Sequence, residues 1–229
     1  MRQQQNNLQH LAIIMDGNGR WAERQGKKRS SGHDAGAKNL KTITTYAAKI
    51  GIKYLTLYAF STENWKRPKT EIDFLMKLLA KFLKKELQTF LENNIRFEVI
   101  GDVSKFSQAL QKEIIHVKEK TAHCSGMTQI LAINYGSRDE ITRAVNKAIK
   151  AGEEVNENDI DKLLDTASFP PVDLLLRTGG DQRLSNFLLW QSAYAELFFT
   201  RTLWPDFSTG ELETIISNFE RTARRFGAL

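Results

Sequence analysis

Residues 10–29 read HLAIIMDGNGRWAERQGKKR, and the fold is decided by how this run is read. Leu11 to Met15 is a short apolar stretch of the kind a strand shows when both its faces are buried. Asp16-Gly17-Asn18-Gly19 ends it with residues that tolerate positive φ, and a turn and a helix N-terminus follow. Ligands of open α/β sheets collect at the carboxyl ends of the strands, so Asp16 is expected to face a cleft. The two glycines let backbone N–H groups approach an anion, and Arg20, Arg29 and His33 add cationic donors. Asp-Gly and Asn-Gly also mark ordinary tight turns. A strand-end carboxylate with Arg20 and Trp21 directly behind the glycines favours an anion site over a plain connection.

Outward from this run, strands and helices alternate. Asp34–Lys49 carries Ala37, Leu40, Ile43, Ala47 and Ile50 on one helical face, with Gly51 as its stop. Lys53–Phe60 is predicted as a second strand, and the loop behind it gathers Ser61, Glu63, Asn64, Trp65 and Arg67 before Pro68. A tryptophan in so polar a loop suggests a lid. Thr70 and Asp73 have capping-box spacing at the head of a helix running to Glu92. Its apolar face, Ile72 through Phe90, is too wide for a single contact, and either a tunnel wall, a second subunit or deep burial would account for that. Strands are predicted at Arg96–Gly101, Met127–Tyr135 and Val172–Arg177. Helices are predicted at Ala109–Lys120, Arg138–Lys150, with Ile141, Ala144, Val145, Ala148 and Ile149 inward, and Asn158–Thr166. Ser208 and Glu211 open a last helix that ends at Arg224-Arg225-Phe226-Gly227.

A second charged turn, Arg177 to Asn186, follows a strand as the first does. Arg177, Arg183 and Ser185 around Gly179-Gly180 suit a second diphosphate. Two anion sites imply two anionic substrates. Glu196 lies in the most apolar segment, Phe187–Phe199, and needs a partner. The residues leave open whether that is an arginine or a magnesium ion shared with Asp16 and a substrate phosphate.

These features predict one α/β domain over residues 1–229, with residues 1–9 as a flexible tail. Its core would be a mostly parallel sheet of about six strands flanked by helices, with an apolar tunnel. The single cysteine, Cys124, excludes an intrachain disulfide. No signal-peptide core or run of about 20 apolar residues occurs, so a cytoplasmic location with peripheral contact at the inner face of the membrane is expected. A net charge of +6 suits anionic partners. No zinc-ligand pattern or basic coiled coil accompanies it, so nucleic acid is not expected among them.

His10 to Trp21, with Arg29, Gly32 and His33, resembles the opening motif of the cis-prenyltransferases. The resemblance continues through Tyr58 to Trp65, Asn134-Tyr135-Gly136, Arg177 to Gly180 and Ser185 to Glu196. It implies sequential cis-condensation of isopentenyl diphosphate onto an allylic starter such as farnesyl diphosphate, giving a long-chain polyprenyl diphosphate of the kind that serves as the undecaprenyl carrier of cell-wall synthesis. It further implies that Gly17, Asn18, Gly19, Arg20, Trp21, Arg29 and His33 bind the allylic diphosphate, and Arg177, Arg183, Leu184 and Ser185 isopentenyl diphosphate. Ser61, Thr62, Glu63, Asn64, Trp65 and Arg67 form the mobile loop, with Asp16 and Asn64 catalytic and Asp16 and Glu196 holding Mg2+. A homodimer is implied as well. Asp181, Gln182 and Ser137 depart from the pattern, standing where glutamate is common, where some members have histidine and where glycine is common. The aspartate-rich DDxxD motifs of the helical trans enzymes and the GxxxxGK[ST] of P-loop hydrolases are absent. A silent isoprenoid-binding subunit, or an enzyme of different product length, are the alternatives.

Overall fold

The computed structural model describes residues 8–152 and 154–222. Six strands form one sheet: β1 (His10–Ile14), β2 (Tyr54–Ser61), β3 (Ile95–Ile100), β4 (Met127–Tyr135), β5 (Leu174–Arg177) and β6 (Glu196–Phe199), in the order β3-β4-β2-β1-β5-β6. All neighbouring pairs are parallel. The described helices are α1 (Asn18–Arg24), α2 (Arg29–Lys49), α3 (Lys69–Glu92), α4 (Gln108–Thr121), α5 (Ser137–Ala151), α6 (Glu157–Leu163) and α7 (Thr209–Arg221). From β1 the chain first builds β2, β3 and β4 on one side, then crosses to place β5 and β6 on the other. A crevice at the carboxyl ends of β1, β2 and β5 follows from that reversal.

Both faces of the sheet are covered. Leu11 and Ile13 of β1 enter one core, while Ala12 and Ile14 enter the opposite one, as the two-residue period of a strand requires. β5 divides likewise, Leu174 and Leu176 from Leu175.

The described part of the expected tail is not free. Leu8 is fully buried, and the Gln9 carbonyl accepts from the N–H groups of Lys53 and Tyr54, because β1 needs that extra length to pair with β2. Residues 1–7 lie outside the described residues, as does the predicted helix end at Arg224–Gly227; α7 is described to Arg221.

Helix α2 begins at Arg29 rather than Asp34, and the reason is packing. A Cβ on Gly32 would stand 1.9 Å from the Asn18 carbonyl oxygen, so α1 and α2 cross at backbone contact. Helix-averse glycines there serve the crossing rather than ending the helix. The Thr70–Asp73 capping box does not form; α3 starts two residues earlier, with Pro68 in the cap position, where its carbonyl accepts from the N–H groups of Glu71 and Ile72. Ser208 does cap α7, through its Oγ and the Glu211 N–H, while the Glu211 carboxylate takes the Thr200 hydroxyl at 2.6 Å instead of closing the box. Ile149, expected inward, is 67% exposed, because the buried face of α5 runs through Ser137, Glu140, Ala144 and Ala148. Phe187–Phe199 is not one element. Turns with Leu188 at positive φ precede β6.

Gly32→Ala should therefore cost at least about 2 kcal/mol through overpacking that neither backbone can relieve cheaply. Urea denaturation should show a lower midpoint at unchanged m-value; an unchanged midpoint would show that the crossing is slack.

Candidate active site

Three loops meet where β1, β2 and β5 end. Gly17, at φ 109°, turns the chain from β1 into α1, and no side chain caps the first turn of that helix. Asp16 stands in the crevice with Oδ1 3.1 Å from Arg20 Nη2 and Oδ2 2.9 Å from Arg177 Nη2. Its backbone is pinned from β5: the Thr178 hydroxyl donates to the Asp16 carbonyl at 2.8 Å. Arg29 lies over Gly19, where a Cβ would come within 2.6 Å of its guanidinium.

Glu71 of α3 gathers two arginines and a histidine. Its carboxylate is 3.0 Å from Arg67, 3.3 Å from His33 Nε2 and 3.6 Å from Arg29. Burial lowers the His33 pKa, helped by Arg67 and Arg29 and opposed by Glu71.

The turn after β5 is drawn around Arg177. This almost fully buried guanidinium donates to the Arg183 carbonyl, to Ser185 Oγ at 2.7 Å and to Asp16, and its Nε has no hydrogen-bond partner. Asp181 bridges Arg177, Arg183 and Arg20 at 3.5, 3.1 and 3.6 Å. Arg20 also donates to the Gly179 carbonyl at 2.6 Å, so the two charged turns are tied directly to each other.

At the end of β2 an irregularity in the pairing with β4 at Tyr58–Ser61 turns Ala59 toward the crevice. A 3-10 turn over Thr62–Lys66 follows, closed by Ser61 and Asn64. The Ser61 side chain accepts from the Asn64 N–H, and Asn64 Oδ1 accepts from the Ser61 N–H at 3.0 Å.

These loops rim a cavity of about 980 Å3. Polar residues line one part of it, and Leu40, Leu75, Met76, Leu79, Phe82, Leu131 and Ile133 line the rest. The over-wide apolar face of α3 is thereby explained: Phe82, Leu83 and Phe90 enter the core, while Leu75, Met76, Leu78 and Leu79 border the cavity.

A family model described as "Putative undecaprenyl diphosphate synthase" matches residues 14–227. The chain belongs to this prenyltransferase family. An isoprenyl transferase of Wolinella succinogenes is 62% identical over 224 residues, 98% of either chain. A ditrans,polycis-undecaprenyl-diphosphate synthase ((2E,6E)-farnesyl-diphosphate specific) of Haemophilus ducreyi is 49% identical, covering 96% of this chain and 93% of the relative. Lavandulyl diphosphate synthase from Lavandula x intermedia, solved in complex with dimethylallyl diphosphate, superposes with a TM-score of 0.93 at 36% identity over 96% of this chain and 98% of that one.

Most of the prenyltransferase site read from the sequence converges on the cavity: Asp16, Gly17, Asn18, Gly19, Arg20, Arg29, His33, Ser61, Glu63, Asn64, Arg67, Arg177, Arg183 and Ser185 all line it. Other expected residues sit beside it. Trp21 donates to Asp206 at 2.7 Å, and Leu184 packs in the second core. Trp65, expected as an exposed lid, lies against Phe60 and Phe106 and donates to Asn134 Oδ1 at 2.7 Å. Thr62 lies against the bare Cα of Gly136.

Glu196 lies apart from the other expected residues within the chain. It opens β6 in register with Leu174, whereas Asp16 lies beyond the Ile14–Arg177 end, about 16 Å further along the strand direction. No group of three or more His, Cys, Asp or Glu fit to hold a metal occurs among the described residues. The carboxylate beside Asp16 is that of Asp181, which the sequence offered only as a departure from the family pattern. Glu71 and Tyr58 were also missed as neighbours of the site. Glu71 had one signal, its i,i+4 spacing from Arg67.

Burial pushes the Asp16 pKa up, but Arg177 and Arg20 outweigh that and hold it below the ordinary range. A carboxyl lowered on folding contributes stability above its unfolded pKa of about 3.9, and that stability is lost as pH falls through the lowered value. Carbon-13 NMR should place the Asp16 midpoint below the ordinary aspartate reference of about 3.9. The stability gap between wild type and Asp16→Asn should narrow from pH 6 toward acid, roughly over the range in which such carboxyls protonate. A midpoint above the reference would show that desolvation wins.

Proposed function

We propose that the protein elongates an allylic diphosphate, farnesyl diphosphate as starter, by repeated cis-condensation of isopentenyl diphosphate to a long polyprenyl diphosphate, the undecaprenyl carrier precursor of cell-wall synthesis. The observation that carries this is one cavity with two linked cationic turns at its mouth and an apolar wall behind them. Such a space holds two diphosphates and a growing hydrocarbon together. The starter named for the Haemophilus ducreyi relative and the allylic diphosphate bound by the lavender enzyme support the same assignment.

In this reading the allylic diphosphate lies over Gly17–Arg20 under Arg29, with His33 beside it, and isopentenyl diphosphate lies on Arg177, Arg183 and Ser185. Charge builds on the departing diphosphate, and preorganised guanidinium groups and backbone N–H groups lower the cost of that charge. Fixing both substrates at linked turns removes much of the entropic barrier. Asn64 Oδ1 is already engaged by the Ser61 N–H. Asn64 therefore orients substrate, and the proton lost from isopentenyl diphosphate passes to a diphosphate oxygen. Magnesium fits this site through Asp16 and diphosphate oxygens, since that ion commonly takes one or two carboxylates and completes its shell with phosphate and water. When bound it would neutralise the leaving diphosphate.

β6 is an edge strand, and Leu189, Tyr194 and Leu197 around it are exposed. This apolar edge supports a homodimer. In the same reading the lipid product leaves by peripheral contact at the inner face of the membrane; no helix among the described residues is long and apolar enough to cross one.

Purified protein incubated with farnesyl diphosphate, labelled isopentenyl diphosphate and Mg2+ should yield a long polyprenyl product. EDTA should abolish it, and Asp16→Ala should reduce turnover by about a hundredfold or more. Binding of both diphosphates without incorporation would defeat the proposal. Arg177→Lys should raise KM for isopentenyl diphosphate about tenfold, because an ammonium cannot hold Asp16 and Ser185 at once. Sedimentation at micromolar concentration should show a dimer.

A further inference from the structure

We infer that Asn186 is a positioning residue for the reaction: it bridges the turn that holds isopentenyl diphosphate to the Ser61–Arg67 turn, keeping Ser61 and Asn64 in register with the second substrate. This rests on the prenyl-transfer reading of the cavity.

Asn186 stands in the left-handed region at φ 63°, directly behind Ser185 at φ 49°. Asparagine adopts that conformation far more readily than most residues, and the conformation aims its amide across the cavity mouth. There Nδ2 donates to Glu63 Oε1 at 2.9 Å, and Glu63 precedes Asn64 in the 3-10 turn. The other end of the amide faces α5: Oδ1 accepts from the Arg138 N–H at 2.9 Å, while the Asn186 carbonyl accepts from the Ser137 N–H at 2.8 Å. One residue thus joins the loops after β2, β4 and β5.

Gly136 shows how closely these loops meet. A Cβ there would stand 2.6 Å from Thr62 Oγ1 and 2.7 Å from Asn186 Nδ2. Burial raises the Glu63 pKa, but Asn186 and nearby hydroxyls outweigh it, in keeping with a carboxylate that accepts this bond. Asn186 and Glu63 both line the cavity, so the bridge lies on its rim, beside Ser61, Asn64 and Ser185.

The polarity of the bridge supplies the test. Asn186→Asp retains an acceptor for Arg138 and a side chain that tolerates the left-handed backbone, but it loses the donor and sets two carboxylates against each other. Its kcat should fall about tenfold, with KM for farnesyl diphosphate unchanged and the melting temperature close to wild type. Glu63→Gln retains an acceptor oxygen and should lose about twofold. The double variant places the donor on Gln and the acceptor on Asp, and should recover the turnover of Glu63→Gln alone. Amide hydrogen exchange of residues 61–67 should rise in Asn186→Asp and return in the double variant, a readout that needs no turnover. Wild-type turnover in Asn186→Asp, or a double variant as slow as the product of the two singles, would overturn the inference. A wild type that incorporates no isopentenyl diphosphate would instead sink the functional reading, and the exchange data would still decide whether the bridge holds the turn.

Discussion

The site depends on keeping one guanidinium charged while burying it. Arg177 ends β5 almost without solvent, and a buried charge is tolerated only when its partners are close and well aimed. Asp16 and Asp181 neutralise it from two loops through Nη2, and Ser185 and the Arg183 carbonyl accept from Nη1, which leaves only Nε without a partner. Each partner is in turn held by another element: Asp16 by Thr178, and Asp181 by Arg183 and Arg20. The positions of both cationic turns thus follow from satisfying a single side chain.

The apolar half of the cavity follows from a different constraint. α3 is split along its length, its far half buried in the core and its near half only partly covered. A helix so apolar can leave that surface uncovered only beside a compartment that water does not favour. The apolar side chains of α3 and the charged loops therefore border one and the same cavity.

Much of this was legible in the sequence where local pattern and tertiary demand agree. The LAIIM run followed by DGNG placed Asp16 at a strand end, since burial and turn chemistry change at the same residue. Met127–Tyr135 was bounded as observed because an apolar centre, Ile130–Ile133, is followed by a turn. What was not legible is of another kind. Glu196 shares an apolar segment with β6, yet sequence does not say which end of a strand a residue will occupy, and parallel register places it opposite Leu174. The predicted start of α2 at Asp34 fell short because Gly32 permits backbone contact with α1, a tertiary demand that no local pattern announces. Trp65 looked stranded in a polar loop until the fold set Phe60 and Phe106 against it.

The sheet order carries a temporal consequence. β1 lies between β2 and β5, and its register pairs Leu11 with Leu174 across nearly the whole chain. Asp16 meets Arg177 only when that pairing closes, and contacts so distant in sequence form late because their loop entropy must be overcome first. On the ribosome, a nascent chain that has completed β1 to β4 can organise most of a sheet and pair Asp16 with Arg20, yet it has neither Arg177 nor the second turn. Capacity to hold a diphosphate is thus acquired near the end of folding, and a prematurely ended chain is electrostatically incomplete as well as short.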